Sequence, residues 1–180
     1  MITILKRLKE EKKFVCIHTD RNNPSKFIFG KIIGVDEAFF AMSMVSPDGD
    51  YDGVIIKLND DIVWVEQSVS YENKMIQLMQ SRGYSEKEVV FQNESVLLQG
   101  LYMANKKKEL VSVELDHSGV DNVVGYVQSV DVDKCKMIQV DEYGQVDGIS
   151  YFALRDFTQI CFDSCDERRL SALIESYAAK

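Results

Sequence analysis

Displaced by 95 residues, the chain matches itself without a gap from Gly30 to Asp61. Gly30 falls on Gly125, Val35 on Val130, Asp36 on Asp131, Met42 on Met137 and Val45 on Val140. Gly49 meets Gly144, Asp52 and Gly53 meet Asp147 and Gly148, and Asp61 meets Asp156. Nine of these 32 positions are identical, where unrelated sequences of average composition agree at about one in fifteen. Apolar positions between them agree too: Ile28 with Val123, Ile32 with Val127, Ile62 with Phe157 and Val65 with Ile160. Any fold for this chain must therefore accommodate one unit twice. The period exceeds the roughly 20–50 residues of a solenoid repeat, so each copy is a small domain in its own right. The copies are expected at 1–84 and 85–180, joined through helical segments.

Both copies read in the same order. A short amphipathic helix opens each, with Ile4, Leu5 and Leu8 in the first and Leu97, Leu98 and Leu101 in the second. Five strands follow: Phe14 to Thr19, Phe27 to Val35, Phe39 to Val45, Val54 to Leu58 and Ile62 to Val65, with counterparts from Leu110 to Phe162. The matched Gly-x-x-Asp-Gly at 49–53 and 144–148 supplies turn chemistry, glycine taking positive φ and aspartate accepting bonds from nearby amides. A closing helix carries Tyr71, Met75, Leu78 and Met79 in copy one, and Leu170, Leu173, Ile174 and Tyr177 in copy two. Ser85 and Glu88 form a capping-box pattern, so a helix is expected to start there.

Charge narrows the function classes. With 21 Lys and Arg against 29 Asp and Glu the net charge is −8, which disfavours general affinity for a phosphate backbone. No apolar run approaches the roughly 18 residues of a membrane span, and Met1 to Lys13 lacks the apolar core of a secretory signal. Cys16, Cys135, Cys161 and Cys165 form no C-x-x-C pair and no dense disulfide framework, which suits a reducing cytoplasm.

A helix followed by five short strands is the order of a small, strongly bent barrel, and here the residues resemble the Sm-like (Lsm) family. Its first motif, a Gly, a spaced apolar residue and then apolar-Asp, is matched by Gly30, Ile32, Val35 and Asp36, and again by Gly125, Val127, Val130 and Asp131. The resemblance implies two tandem five-stranded Sm-like or SH3-like barrels, mainly β with flanking helices, that associate through their fourth and fifth strands. It also implies a departure from the family's usual role. The position of the RNA-contacting Asn holds Phe40 in one copy and Cys135 in the other. The Arg-Gly of the second motif is replaced by Leu58-Asn59 and Ala153-Leu154.

Candidate sites are few. Asp36, Asp52 and Asp61, with Asp131, Asp147 and Asp156, sit beside turns, where a carboxylate fixes a loop through backbone amides. Together with Gly49, Gly53, Gly144 and Gly148 they read as structural turn residues. His18 lies near Cys16 and Asp20, but three residues on one strand make no tetrahedral metal site. Nucleophile-elbow, P-loop and dinucleotide motifs are absent, and no catalytic residue, metal or cofactor is implied. Lys12-Lys13 and Lys106-Lys107-Lys108 recur after the first helix, where cations complement the helix dipole. What differs between copies is what they are expected to show outward: Trp64 against Gln159, and Phe40 against Cys135. The expected interaction surface is therefore Phe40 and Trp64, to which the resemblance adds Val54, Ile56 and Leu58 on the fourth strand, with Ile149 to Leu154 as its counterpart in copy two. The reading is a non-catalytic protein-interaction or assembly module in the cytoplasm, binding a protein partner or itself, with no membrane role. An RNA-binding Sm-like protein is the first alternative and an enzyme of unknown type the second.

Overall fold

In the computed structural model of the chain, residues 1–92, 95–118 and 123–178 are described. They divide into two compact units, Met1–Val96 and Leu97 onward. The first unit runs α1 (Ile2–Glu11), β1 (Phe14–His18), β2 (Ile28–Val35), β3 (Phe39–Val45), β4 (Tyr51–Leu58), a 3-10 turn at Asn59–Asp61, β5 (Trp64–Glu66) and α2 (Val69–Arg82). The second repeats it with α3 (Val96–Lys107), β6 (Leu110–Leu115), β7 (Val123–Val130), β8 (Lys134–Val140), β9 (Val146–Ala153), a 3-10 turn at Leu154–Asp156, β10 (Phe157–Phe162) and α4 (Cys165–Ala178). The chain is thus mainly β with flanking helices.

Each unit holds one antiparallel sheet, in the order β5-β1-β2-β3-β4 and β10-β6-β7-β8-β9. The repeat is kept to the level of irregularities. Strands β2, β3, β4 and the 3-10 turn recur 95 residues on with the same bounds. The β2–β3 register slips between Ile32 and Gly34, and the β7–β8 register between Val127 and Ser129, the same place in each copy. Bulges of this kind bend and twist a strand pair.

Gly30 and Gly125 occupy equivalent sites on β2 and β7 and explain their own recurrence. A Cβ on Gly30 would stand 2.0 Å from the Ser43 carbonyl oxygen, and one on Gly125 2.2 Å from that of Ile138. Only a residue without a side chain lets the neighbouring strand come so close. Gly49 and Gly144 hold positive φ, 86° and 79°. They also abut the closing helices, where an added Cβ would lie 2.9 Å from Leu78 and 2.9 Å from Ile174.

Several expectations are corrected. Neither sheet closes into a barrel: β5 lies against β1 and β10 against β6, and among the described residues no pair joins β4 to β5 or β9 to β10. The turn after β4 decides this, since the Val63 amide bonds the His18 carbonyl at 2.8 Å and delivers the chain to the edge of β1. In consequence β5 is only three residues long, and Ile62 is a buried residue of the turn. The opening helices align at 96 residues. Lys12 and Lys108 are both left-handed C-caps, with φ of 51° and 54°, so Leu5 matches Leu101 and Leu8 matches Ala104, all four buried.

Ser85 and Glu88 start no helix. Residues 84–92 run without regular structure and pack with the first unit, so the physical boundary falls at 96 and not at 84. α2 ends in a Schellman cap: Gly83 takes φ 68°, and the Tyr84 amide bonds Met79 O at 2.8 Å. From there Tyr84 packs onto the cluster of Cys16, Phe29, Val45, Met75 and Met79. Its hydroxyl lies beside that of Ser43, outside hydrogen-bond geometry. Glu86 pairs with Lys31 at 2.6 Å. Phe91, 5% exposed, fills the space above Gly34. This extended strap covers the β2–β3–β4 face of its own unit.

Burial also sets thiol chemistry. It pushes Cys16 up to about 11, with Glu66 and Glu72 adding to the effect, and Cys135 likewise to about 11. Thiolate is the reactive form. We expect Cys16 and Cys135 to resist a thiol reagent at neutral pH until the protein unfolds, while Cys161 and Cys165, both half-buried, react first. Mass mapping of a timed alkylation checks the order.

Candidate functional site

The residues expected to form an interaction surface do not come together as one. Phe40, Val54 and Ile56 are fully buried. Leu58 is half-buried at the end of β4. Phe40 lies on β3 opposite Lys57, and its counterpart Cys135 is as buried as it is. Both point inward because neither position carries a polar group that must stay wet, and each copy fills its core there with what it has. The outward placement of this pair is thus corrected. Neither side chain is open to a ligand.

Trp64 alone of the set stands partly open, at 37% exposure on β5. One face of its ring stacks on the His18 imidazole, with centroids 3.9 Å apart and planes inclined by 21°. His18 is itself 4% exposed. Its Nδ1 donates to the Pro24 carbonyl at 2.7 Å, which a carbonyl can only accept, so Nδ1 carries the proton. Its Nε2 lies 3.5 Å from the Glu66 carboxylate. Phe27 flanks the ring at 5.2 Å. The alternation of β1 and the pairing of His18 with Trp64 across β1–β5 create this stack. Cys16 belongs instead to the apolar cluster under α2, and Asp20 accepts the Asn22 and Asn23 amides. Among the described residues no three His, Cys, Asp or Glu converge as metal ligands.

The repeated aspartates act on their own loops, unequally. The Asp36 carboxylate accepts the Ala38 and Phe39 amides at 2.8 and 2.7 Å and the Val96 amide at 2.6 Å. Its carbonyl receives the buried Asn59 amide at 3.0 Å. Asp131 is exposed, with Lys134 at 3.7 Å. Asp61 pairs with Lys57 at 3.3 Å in a largely buried contact, whereas Asp156 meets Arg155 at 3.5 Å at the surface. At the β8–β9 turn it is Asp141, not Asp147, that accepts the Tyr143 and Gln145 amides. Asp147 is exposed and Asp52 half-buried, and their neighbours Gly148 and Gly53 hold φ of 137° and 78°. Asp141-x-x-Gly144 and Ser46-Pro47-x-Gly49 are type I turn signatures, and that signal locates the loop-fixing group.

The basic runs are helix ends. Lys13 pairs with Glu11 at 2.9 Å and Lys107 with Glu109 at 3.6 Å.

Exposed apolar surface gathers on β9 instead. Val146, Ile149 and Tyr151 are 71%, 54% and 67% exposed. Among the described strands β9 pairs with β8 alone and β5 with β1 alone, so each leaves one row of backbone donors and acceptors without a strand beside it. The resemblance already places this fourth strand at a contact; what the sequence did not show is that Ile149 and Tyr151 stand open while their matches in the first copy, Val54 and Ile56, are core residues. No described helix is long and apolar enough to cross a membrane. No protein-family model matches the chain, and neither a curated protein nor a solved structure is similar enough to be named beside it.

Proposed function

We propose that the chain is a non-catalytic protein-interaction module that assembles through the open strand edges β5 and β9. The observation that carries this reading is the coincidence of two open edges with exposed apolar side chains, Trp64 on one and Val146, Ile149 and Tyr151 on the other. An open edge is a template for another strand, and proteins that stay apart blunt theirs with charge, proline or a bulge. β9 carries no lysine or proline, and its one charge, Asp147, and its bulge both lie in its first three residues, ahead of Ile149 and Tyr151. The helix-then-five-strands order in both units supports the resemblance to Sm-like proteins, in which neighbouring copies join by such edges. The RNA-binding alternative is opposed by the net charge of −8 and by the burial of Phe40 and Cys135.

Light scattering on the purified protein, with isolation of the chain and its adherents from native cells, tests the proposal. The expected result is a species heavier than the 20.6 kDa chain, or a stoichiometric protein partner. A strict monomer that isolates alone overturns it. Nucleic acid as the adhering component overturns it in favour of RNA binding.

A further inference from the structure

The two units have sheets of one design but differ in what lies on them. In the first, a cross-strand row runs Lys31, Ser43, Val54. The strap covers it, with Glu86 on Lys31 and Tyr84 beside Ser43, and Ser43 and Val54 are left 2% and 0% exposed. In the second unit the matching row is Tyr126, Ile138, Ile149. Next to it Lys136 lies opposite Tyr151, at the places of Ala41 and Ile56, which are both fully buried in the first unit. At each of these places but one the second unit carries an apolar or aromatic side chain at least as large as its match, and the exception is Lys136. Yet Ile149 and Tyr151 are more than half exposed, and no described segment plays the part of the strap.

We propose that this face of the second unit, built from Tyr126, Lys136, Ile138, Ile149 and Tyr151, binds an extended acidic and apolar segment of a partner protein, laid on the sheet as residues 84–91 are on the first but with its carboxylates toward Lys136, because the match of Lys31 here is Tyr126. The inference rests on the reading of the chain as an interaction module, but it uses a sheet face and not a strand edge. Two observations choose the occupant. The chain itself displays one on the equivalent face, an irregular stretch that anchors Tyr84 and Phe91 and sets Glu86 on a sheet lysine. The open face also keeps a cation: the Lys136 ammonium lies 5.5 Å above the Tyr151 ring, beside apolar side chains that a carboxylate-bearing segment would dry. Aromatic anchors in a desolvated patch with a charge at the margin are what give such interfaces their affinity. Lys134, the next lysine along β8, lies 3.7 Å from Asp131. Glu175 of α4 acts on Tyr126 at the opposite end of the row, so the segment's acidic residues belong at the Lys136 end.

The test uses the intact protein, isotope-labelled for backbone NMR, and the peptide Tyr-Ser-Glu-Lys-Glu-Val-Val-Phe as probe. Added in trans, it lacks the advantage of being tethered, so saturation is expected only at about 0.1–1 mM, the weak end of specific binding. Amide shifts should concentrate on Ile138, Ile149 and Tyr151. Lys136→Glu, at a half-buried position, and Ile149→Asp, at an exposed one, should each weaken binding about tenfold, and a peptide with both glutamates replaced by lysine should bind the unaltered protein as poorly. No shift at these residues with millimolar peptide overturns the proposal, as do shifts confined to Lys31 and Ser43. If Ile149→Asp abolishes a concentration-dependent dimer while the peptide binds nowhere, the face belongs to a second copy and the proposal is wrong. Light scattering without peptide reads the strand edges independently, so either reading can fail while the other stands.

Discussion

Gly30→Ala is expected to lower the stability of the first unit by about 3 kcal/mol, the upper range for overpacking, and Gly125→Ala to do the same to the second. The added methyl meets a backbone oxygen at 2.0 or 2.2 Å. A carbonyl held in a strand pair cannot turn aside as a side-chain tip can, so β3 or β8 must move. Such movement breaks the bulged register that both pairs share. Urea unfolding checks this, with Trp64, the only tryptophan, reporting the first unit and circular dichroism the whole. Gly34→Ala offers a contrast. Its methyl would meet the Phe91 ring at 2.8 Å, a side chain on the strap with some room to give. A Gly30→Ala protein as stable as the parent would mean that the strands are not so closely apposed.

The second large effect is an asymmetry. Asp36→Ala removes the acceptor from three amides at once, and charge-assisted bonds of this kind are worth more than neutral ones. We expect a loss of about 3 kcal/mol, since each amide left without a partner carries its own desolvation cost. Asp131→Ala, at the matched position, is expected to cost less than about 0.5 kcal/mol, because an exposed ion pair contributes little. Chemical denaturation of the two variants side by side decides the point. Equal effects would mean that the three amide bonds carry no weight.

The same pair shows how far the sequence could be read. The match of Asp36 to Asp131 announced a turn, and both residues sit at one. Nothing local announced that the Val96 amide, sixty residues on, would return to Asp36 and not to Asp131. Gly30 and Gly125 were legible because their reason is close at hand, in the adjacent strand. Divergence between copies makes Phe40 read as a surface residue, yet two unlike side chains, Phe40 and Cys135, fill two cores. Helix starts show the limit most clearly. Ser85-x-x-Glu88 and Ser164-x-x-Glu167 carry the same capping pattern. At 164 the box forms, with Glu167 accepting the Ser164 amide at 2.8 Å and the Ser112 hydroxyl, ahead of a run of helix formers. At 85 the next residues are Val89, Val90 and Phe91. Burial of Phe91 and the pull of Lys31 on Glu86 hold the chain extended, so tertiary contacts override the local signal.

The strap also separates the repeat from what folds. The closing helix of the first copy ends at Arg82, but the compact body continues to Val96. The residues between roof the upstream copy. Under that roof the Lys31–Ser43–Val54 row carries small or polar side chains and exposes nothing greasy. The second copy carries the bulkier Tyr126–Ile138–Ile149 row. A gene dissected at the repeat boundary would therefore yield an upstream half with its roof torn off, and only a cut beyond the strap respects the architecture.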